Sequence, residues 1–340
     1  MLSNLKAWQL TAQSGPAALR LVETETPKPA RGQVLVRVRA NSLNYRDLMV
    51  ADGRYGILPL PQVPLSDGAG DIVELGQDAN RWKVGDRVAA TFFQGWPDGP
   101  FSRAVLDSAL GGALPGMLSD YVALSEKGLV AIPSHLTYEE AATLPCAALT
   151  AWHALITRGR LSAADTVLLI GTGGVSIFAL QFAKIHGARV ILLSGSDEKL
   201  ETARALGADH LINYKSTPDW EKEVFRLTGR AGADHIVEVG GRETFPKSVR
   251  AVAAGGTISL VGGVSGFASE IPIVEIISRM ALVQGIYVGN RAMFHAMNRA
   301  ITLHQLRPAI SQRFLFDEAP EAYRCLQSGK HFGKIVILNP

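Results

Sequence analysis

The sequence predicts an α/β protein of two domains, in which an all-β module is followed by a parallel sheet with helices on both faces. Three observations support this fold class. Up to about residue 130, short strand-like runs are cut by turn residues. From about residue 138, continuous apolar strands alternate with helical periods, as in parallel sheets that are covered on both faces. A strand at 334–338 is expected to rejoin the β module, so we predict domains of 1–130 with 290–340 and of 131–289.

Three strand patterns predict the β module. Residues 34–40 alternate between apolar and polar side chains, as a half-buried strand does. Residues 70–76 and 84–90 are strand-like runs bounded by glycine turns. Residues 91–118 are rich in Gly, Pro and aromatic side chains, which is typical of an irregular segment. We therefore expect a small barrel with one irregular excursion.

The second domain is predicted from its apolar runs and from the glycines that end its helices. Strands are expected at 166–170, 188–193, 210–214, 234–239, 257–261 and 285–288. Helices are expected at 175–186, 197–206, 220–228, 243–253 and 272–282, with a further helix at 293–304 in the tail. Six strands in this rhythm are the pattern of a dinucleotide-binding sheet.

Composition narrows the classes of function. The net charge is only +3, and no run of five or six basic residues occurs, so the sequence gives no support for nucleic-acid binding. The two cysteines, Cys146 and Cys325, cannot form a disulfide framework, which favours a reducing, cytoplasmic setting. No apolar run reaches the roughly 18 residues of a membrane helix, and the first ten residues lack the pattern of a signal peptide.

A glycine-rich turn, Gly171-Thr-Gly-Gly-Val-Ser176, follows the first predicted strand of the second domain and opens its first helix. Gly171 allows a tight turn, while Gly173 and Gly174 let backbone N–H groups approach a pyrophosphate at the positive end of the helix. Ser176 stands where a third glycine is usual, and a small side chain nearly meets the packing requirement there. The turn predicts a dinucleotide site; the alternative is a tight turn with no ligand.

The end of the second strand, Leu193-Ser-Gly-Ser196, bears on the choice of nucleotide. NAD-specific sites place a carboxylate here to bind the ribose 2′-hydroxyl, and this segment has none. Small hydroxyl residues with Lys199 suit a 2′-phosphate better, because a carboxylate would repel it. The sequence therefore predicts NADP. The alternative is that Asp197, which has a simple role as a helix N-cap, reaches the ribose.

Five segments together carry a resemblance to a known superfamily. They are Asp67-Gly-Ala-Gly70, Val84-Gly-Asp-Arg-Val88, Leu144-Pro-Cys-Ala-Ala-Leu-Thr-Ala-Trp152, Gly171-Thr-Gly-Gly-Val175 and Ala205-Leu-Gly-Ala-Asp209. With these segments the chain resembles the medium-chain dehydrogenase/reductase superfamily over nearly its whole length. The resemblance implies a GroES-like β-barrel catalytic domain and a six-stranded parallel Rossmann domain.

The superfamily contains zinc-dependent and zinc-free members, so the ligand positions matter. The resemblance places the three ligands of a catalytic zinc at Asn44, Ser66 and Cys146. Such a zinc needs three nitrogen, sulfur or carboxylate ligands, and Asn and Ser are poor substitutes. Residues 91–118 also contain no cysteine for a structural zinc lobe. We therefore expect a zinc-free protein with no metal site.

Zinc-free members resemble quinone oxidoreductases and enone reductases, which use NADPH to deliver hydride to a quinone or an α,β-unsaturated carbonyl. The resemblance places Thr150 at the nicotinamide end of the cofactor and Lys334 near its 2′-phosphate. The other residues implied at the phosphate are Ser194, Ser196, Lys199 and Tyr214. The remaining predicted cofactor contacts are Gly171, Thr172, Gly173, Gly174, Val175, Gly240, Gly262, Val288 and Asn290.

The candidate catalytic residues lie in Asn44-Tyr-Arg-Asp47 and at Tyr55. Asn44 and Tyr55 are expected to hydrogen-bond the acceptor oxygen or the ribose, and Tyr45 or Tyr55 to donate a proton. Asp47 has either a functional role or a structural one in bracing the loop, and Arg46 is expected to be solvated or paired. Apolar residues that suit a flat substrate, or that form ordinary loop core, are Phe92, Phe93, Trp96, Phe101, Tyr287, Met293 and Phe294.

The sequence leaves three functions to compare. The first is an NADPH-dependent, zinc-free reductase of quinones or enones that binds a small apolar or aromatic carbonyl compound. The second is a redox enzyme of the zinc-type alcohol dehydrogenase kind, and the third is a non-catalytic nucleotide- or RNA-binding protein. Relatives commonly pair through the edge of the Rossmann sheet, so a homodimer through the strand at 285–288 is also expected.

Overall fold

The computed structural model describes residues 5–271 and 273–340. Its strands are β1 (Leu5–Leu10), β2 (Leu19–Thr24), β3 (Gln33–Ser42), β4 (Asp67–Leu75), β5 (Arg87–Ala90), β6 (Tyr121–Ser125), β7 (Leu129–Ala131), β8 (Thr166–Ile170), β9 (Arg189–Ser194), β10 (His210–Asn213), β11 (Ala233–Glu238), β12 (Val252–Leu260), β13 (Leu282–Gly285), β14 (Ile310–Leu315) and β15 (Lys334–Leu338). Its helices are α1 (Tyr45–Ala51), α2 (Tyr138–Ala142), α3 (Leu149–Trp152), α4 (Gly174–Ile185), α5 (Asp197–Ala205), α6 (Trp220–Leu227), α7 (Phe245–Ala251), α8 (Ile273–Arg279), α9 (Arg291–Leu303) and α10 (Ala319–Gln327). Among the residues described, no helix has the length and apolar character of a membrane span.

The chain divides into two compact units. The first comprises Met1–Leu149 with Val288–Pro340, and the second comprises Thr150–Tyr287. The first boundary falls later than the predicted position after residue 130, because α2 packs against β3, β4 and β15 and so belongs to the first unit. The return of the chain to the first unit falls within two residues of the predicted position.

The first unit is built on a sheet with the strand order β14-β15-β3-β4-β5-β7, to which β6 adds by pairing with β3. Strand β15 runs parallel to β14 and antiparallel to β3, with Val336 opposite Ser42. This confirms that 334–338 rejoins the β module. Two apolar clusters form the core of the unit, one around Trp8 and Tyr323 and one around Ile72. The pairing of β15 with β3 brings two distant parts of the chain to one end of the sheet.

The second unit contains a parallel sheet with the strand order β10-β9-β8-β11-β12-β13. The parallel six-stranded sheet is confirmed, and its first five strands overlap the predicted ranges. From β8 the strand order continues to β9 and β10 on one side and to β11, β12 and β13 on the other. Sheets of this order bind ligands at the switch point between β8 and β11. Helix α4 packs on β8 and β9, at the beginning of the first half of the sheet.

The sixth strand is the main correction to the predicted elements of this unit. It spans Leu282–Gly285, three residues before the predicted strand at 285–288. Helix α8 ends at Arg279, because Met280 takes a left-handed backbone conformation with φ of 51° and so stops the helix early. The predicted start of this helix at Pro272 lies outside the described residues.

Candidate active site

The first turn of α1 builds one end of a buried polar cluster in the first unit. After β3, Asn44 adopts an extended conformation and becomes the N-cap of α1. Its backbone N–H donates to Oδ2 of Asp47 at 2.8 Å, which satisfies a donor that the helix cannot. Asp47 therefore has a structural role in holding the start of α1, which is one of the two roles predicted for it. Both side chains are buried.

Lys334, the first residue of β15, supplies a cation to this cluster. Its ammonium donates to the Leu43 carbonyl at 2.6 Å and to Oδ1 of Asn44 at 2.5 Å. Only 3% of the residue is exposed. The pairing of β15 with β3 turns the side chain inward, toward the N-cap of α1. Lys334 thereby fixes which way the Asn44 amide faces. The predicted contact of Lys334 with a cofactor phosphate stays a prediction.

Asp67 is the carboxylate that faces this cation. It begins β4, opposite Ser42 of β3, and is fully buried. The Ser66 hydroxyl donates to it at 2.7 Å, and the Cys146 backbone N–H donates to it at 3.1 Å. Burial raises the pKa of Asp67, while the Lys334 ammonium opposes the rise. Burial likewise lowers the pKa of Lys334, and Asp67 opposes that fall, so each group favours the charged form of the other.

Arg46 and Asp47 add a second pair of opposite charges. Burial raises the pKa of Asp47 to about 6, against the attraction of the neighbouring Arg46. Nη1 of Arg46 lies 3.4 Å from Oδ1 of Asp47. The guanidinium carbon of Arg46 lies 4.8 Å from the centre of the Tyr55 ring and 4.9 Å from that of Phe92. Arg46 is thus paired, as expected, but it is buried rather than solvated, which the sequence did not indicate.

The donor set of this cluster does not fit a zinc ion. Of the three positions that correspond to zinc ligands, Asn44 already accepts a hydrogen bond from the Lys334 ammonium, and Ser66 donates to Asp67. Burial raises the pKa of the Cys146 thiol and Asp67 raises it further, which disfavours the thiolate that a metal needs. Within residues 5–271 and 273–340, no group of three or more His, Cys, Asp or Glu side chains is arranged to hold a metal.

The predicted tyrosines are separated by the fold. Tyr55 lies against Arg46 and therefore close to Asn44 and Asp47 in the cluster. The Tyr45 hydroxyl instead accepts a hydrogen bond from the exposed Arg54 at 3.4 Å, while the rings of both tyrosines pack on the apolar core. The structure therefore favours Tyr55 over Tyr45 as the tyrosine of the site.

The aromatic residues of the predicted irregular segment form one cluster of edge-to-face rings. Phe92 and Phe93 have ring centres 4.7 Å apart, and Trp96 and Phe101 have ring centres 5.3 Å apart. The first three are buried, and Phe101 is partly exposed. Phe92 joins this cluster to Arg46, so the segment is both loop core and one wall of the polar cluster.

The glycine turn of the second unit has the geometry that the sequence predicted. Gly171 has φ of 77°, Gly173 is the N-cap of α4, and the helix begins at Gly174. No atom lies within 4 Å of the place where a Cβ would stand at Gly171 or Gly173. The Ser176 hydroxyl donates to the Ile170 carbonyl at 2.7 Å, which ties the helix to β8. An anion can therefore approach the backbone N–H groups at the N-terminus of this 12-residue helix.

The predicted phosphate residues come together at the end of β9. Ser194 and Ser196 flank Gly195, and the Tyr214 hydroxyl would lie 2.6 Å from a Cβ at Gly195. Ser196, not Asp197, is the N-cap of α5, and its hydroxyl oxygen accepts from the Lys199 backbone N–H. Burial lowers the pKa of the Lys199 ammonium.

Asp197, the residue that could favour NAD, has a partner within the protein. Its carboxylate accepts a hydrogen bond from the Asn213 side chain at 2.7 Å, at the end of the neighbouring strand β10. One of its two carboxylate oxygens is thereby engaged within the protein. The choice between NADP and NAD stays a prediction.

Glu238 is a residue that the sequence analysis missed. It ends β11 and is fully buried. Its Oε1 accepts from the backbone N–H groups of Gly240 and Gly241 at 2.8 and 2.9 Å and from the Thr244 hydroxyl at 2.6 Å. Its carbonyl accepts from the Gly262 N–H at 3.3 Å. Glu238 thus shapes both glycine loops that are predicted to line the cofactor groove; a carboxylate at a strand end before two glycines was the available signal.

The other predicted cofactor residues are placed as follows. Thr150 is the buried first residue of the second unit, while Val288 and Asn290 belong to the first unit. Asn290 is the N-cap of α9, accepts from the Met293 N–H at 2.8 Å and donates to the Gly99 carbonyl at 3.4 Å. Thr172 is buried and Val175 is half-buried. Their contacts with a cofactor stay predictions.

Comparison with known families agrees with both units. A family described as alcohol dehydrogenase GroES-like domain matches residues 30–134, and one described as zinc-binding dehydrogenase matches residues 174–302. The chain is 42% identical over 332 residues to a zinc-type alcohol dehydrogenase-like protein of Schizosaccharomyces pombe, covering 95% of this chain and 96% of the other. It is 29% identical to a quinone oxidoreductase of Pseudomonas aeruginosa, covering 98% and 99%.

Solved structures give the same picture. A provisionally named alcohol dehydrogenase from Sinorhizobium meliloti 1021 is 43% identical, with a TM-score of 0.94 and 99% of each chain covered. A 2-octenoyl-CoA carboxylase reductase, solved with NADP and 2-octenoyl-CoA, is 27% identical, with a TM-score of 0.88, 100% of this chain covered and 88% of the other. The GroES-like domain and the Rossmann domain are therefore both present.

Proposed function

This chain belongs to the medium-chain dehydrogenase/reductase superfamily, and from that membership we propose that it is an NADPH-dependent oxidoreductase that reduces a quinone or an α,β-unsaturated carbonyl. The observation that carries the proposal is the Lys334 ammonium, which bonds Asn44 where other members of the superfamily place a zinc ligand. Relatives that include a quinone oxidoreductase and a 2-octenoyl-CoA carboxylase reductase are consistent with it.

The chemistry of the cluster favours conjugated acceptors. Since its donor set does not fit a metal Lewis acid, negative charge on the acceptor oxygen must be stabilised by hydrogen-bond donors. Nδ2 of Asn44 is a buried donor that lies beside the Asp67 carboxylate, and Lys334 holds the other end of the amide. A conjugated acceptor spreads the developing charge, so such donors suffice. Tyr55, which lies against Arg46, is the tyrosine we propose as the source of the proton.

NADPH supplies the hydride when it is bound. The residues of the second unit that would hold it are the N-terminus of α4 for the pyrophosphate and the Ser194–Ser196 segment for the 2′-phosphate. Support for NADPH over NADH comes from the absence of a carboxylate in that segment and from the use of Asp197 by Asn213. Lys199 and Tyr214 would complete the phosphate site.

The test is turnover by the purified protein with NADPH or NADH, a simple 1,4-quinone or a neutral enone, and a strong chelator. We expect nicotinamide absorbance to fall with NADPH in preference to NADH, at a rate that the chelator leaves unchanged. Activity toward simple alcohols that disappears with the chelator and returns with zinc would contradict the proposal. So would an absence of turnover with every acceptor and both cofactors.

The partner we propose is a second copy of this chain. Strand β13 is the edge of the six-stranded sheet, and α8 beside it has no buried residue. Val274 and Met280 are 78% and 82% exposed, and Leu282 and Ile277 are also exposed. Two copies that pair along β13 would continue the sheet and cover this apolar surface. Sedimentation equilibrium should give a dimer, and Val274→Asp should weaken it while the exposed Leu303→Asp on α9 should not; a monomeric wild type would refute the pairing.

We also propose that the protein acts in a reducing, cytoplasmic compartment. Both Cys146 and Cys325 are unpaired thiols. A protein that keeps two free thiols is typical of reducing surroundings. Localisation of a tagged chain by fluorescence microscopy tests this directly, and accumulation in a secretory compartment would contradict it.

A further inference from the structure

The side chain of Gln13, between β1 and β2, is hydrogen-bonded to the loop that follows Tyr55. Its Nε2 donates to the Gly56 carbonyl at 2.7 Å, and its Oε1 accepts from the Leu58 N–H at 3.3 Å. One side-chain amide thus serves both an acceptor and a donor of the same loop, as the backbone of a neighbouring strand would do. Nε2 also donates to the Val50 carbonyl of α1 at 3.4 Å. Gln13 therefore links this loop to the end of α1.

The main chain next to Gln13 lies against the same end of the helix. The Gly15 N–H donates to the Ala51 carbonyl at 2.9 Å, which satisfies one of the carbonyls that a helix leaves open at its C-terminus. Gly53 has φ of 73°, and a Cβ on it would lie only 3.3 Å from the Cβ of Gln13. The glycine therefore lets the chain leave α1 close beside Gln13. The end of α1 is a fixed base from which the Gln13 side chain reaches the loop.

Residues 56–61 bury little apolar surface of their own. Leu58 packs against the core, but Ile57 is 99% exposed and Leu60 is 39% exposed. Gly56 has φ of 105°, in a region of backbone conformation that glycine enters easily and also leaves easily. Segments with few buried apolar contacts open at low free energy unless other bonds hold them. The hydrogen bonds from Gln13 therefore carry a large share of the order of this loop.

We propose that Gln13 is a positioning residue that acts through Tyr55. The inference rests on the proposed function, in which Tyr55 supplies the proton. Arg46 lies against the Tyr55 ring and forms a side-chain hydrogen bond with this residue, so it holds the side chain. Gln13 holds the backbone at Gly56, the next residue along the chain. Together they keep the hydroxyl at one place, and proton transfer needs the donor within hydrogen-bond reach of the accepting atom.

The step that depends on this position is the second half of the reduction. Once hydride has added to the β-carbon of a conjugated enone, the electron pair of the C=C bond has moved to the carbonyl oxygen. The Tyr55 hydroxyl then gives its proton to this enolate, and water returns a proton to the tyrosinate. A displaced hydroxyl slows this transfer and leaves the binding of NADPH as it was.

The test is a double-mutant cycle of Gln13→Met and Tyr55→Phe, in which kcat is measured with NADPH and a neutral enone. Methionine keeps the length of the side chain and removes the amide. Gln13→Met should lower kcat about tenfold and leave KM for NADPH unchanged, because only the proton transfer is affected. In the Tyr55→Phe background the same change should have no further effect, since the two residues act on one step. The control Gln77→Met replaces an exposed glutamine of the loop after β4 and should change neither value.

Two results with an active wild type would overturn the inference and keep the reductase. One is a loss of kcat by the same factor with and without the Tyr55 hydroxyl, which would show that Gln13 does not act through Tyr55. The other is an unchanged kcat in either single variant.

Hydrogen exchange of a peptide that covers residues 52–61 tests the link without turnover. Exchange of this peptide should accelerate at least about fivefold in Gln13→Met and not in Gln77→Met. Acceleration in a protein that reduces no acceptor would keep the link between Gln13 and the loop and remove the reductase. Unchanged exchange, or acceleration throughout the first unit, would overturn the positioning role whether or not the protein is active.

Discussion

Replacement of Lys334 by methionine is the sharpest test of the polar cluster in the first unit. Methionine keeps most of the aliphatic stem and removes the ammonium. The change deletes hydrogen bonds of 2.6 and 2.5 Å and leaves the Leu43 carbonyl and Oδ1 of Asn44 without their donor. It also leaves the buried carboxylate of Asp67 without the cation that stabilises it. Each buried acceptor that loses its donor costs about 1–3 kcal/mol, so for the two acceptors we expect a loss of about 2–6 kcal/mol in unfolding free energy at pH 8.

The pH dependence of this loss follows from the pKa values of the two carboxyl groups. Burial raises the pKa of Asp67 and brings that of Asp47 to about 6, while Lys334 opposes both shifts. Without the ammonium both pKa values rise further. A carboxyl group whose pKa is higher in the folded state than in the unfolded state gives up stability as pH rises through the folded value. The variant should therefore be least stable at pH 8 and should approach the wild type near pH 5, where protons replace the missing cation.

The measurement is urea unfolding at pH 5 and pH 8, combined with hydrogen exchange of peptides from β3, α1 and β15. The matched control is Lys330→Met, an exposed lysine just before β15, which should change neither quantity. Exchange should accelerate in these three elements and not in the sheet of the second unit. A loss below about 1 kcal/mol at pH 8, or a loss of equal size at both pH values, would refute the role given to the ammonium.

Three further predictions concern other groups of the two sites. Asp47→Asn should remove a pH-dependent part of stability. From pH 4 to pH 8 the wild type should lose about 2.4 kcal/mol of unfolding free energy relative to the variant, because the carboxyl pKa rises from 3.8 to about 6 on folding. Parallel urea profiles of the two proteins would contradict this. Lys199→Ala should raise KM for NADPH about tenfold and leave KM for NADH unchanged. The control Lys222→Ala, on α6, should alter neither KM. Equal changes for both cofactors would exclude a contact between Lys199 and the 2′-phosphate. Glu238→Gln should lower unfolding free energy by about 1–3 kcal/mol and weaken NADPH binding, because one amide oxygen cannot accept every hydrogen bond that the carboxylate accepts. Binding is measured by fluorescence titration, with the exposed Glu243→Gln as the control. Unchanged binding in Glu238→Gln would show that this residue does not support the cofactor site.

Much of the second unit could be predicted because its signals are local. Apolar runs, helix-ending glycines and the 171–176 turn lie within short stretches of chain, and the six strands and the helix at the turn follow from them. The sixth strand was placed too late because the left-handed conformation of Met280 has no signature in the residue type. Short-range patterns thus give the order of the elements better than their ends.

The polar cluster could be predicted only in part because it depends on strand register. The resemblance to the superfamily singles out Asn44, and Asp47 and Tyr55 follow as polar residues near it in the sequence. The inward turn of Lys334 depends on β15 lying beside β3, and the burial of Arg46 depends on Phe92, which is distant along the chain. Neither contact leaves a pattern in the residues around it. Glu238 was not predicted for a different reason. A single carboxylate at the end of a strand is common in proteins and does not by itself indicate a functional site.

The bond between Lys334 and Asn44 joins residues that are 290 positions apart. Thr150–Tyr287 is one continuous stretch, whereas the first unit needs both flanking parts of the chain. Domains that are continuous can fold as they leave the ribosome. The nucleotide-binding unit can therefore be complete while β3 still has an unpaired edge and Asn44 has no cation. During synthesis the hydrogen bond from Lys334 to Asn44 forms late, after β15 has emerged. A shortened chain that lacks this strand would retain a nucleotide-binding turn without a finished reaction centre.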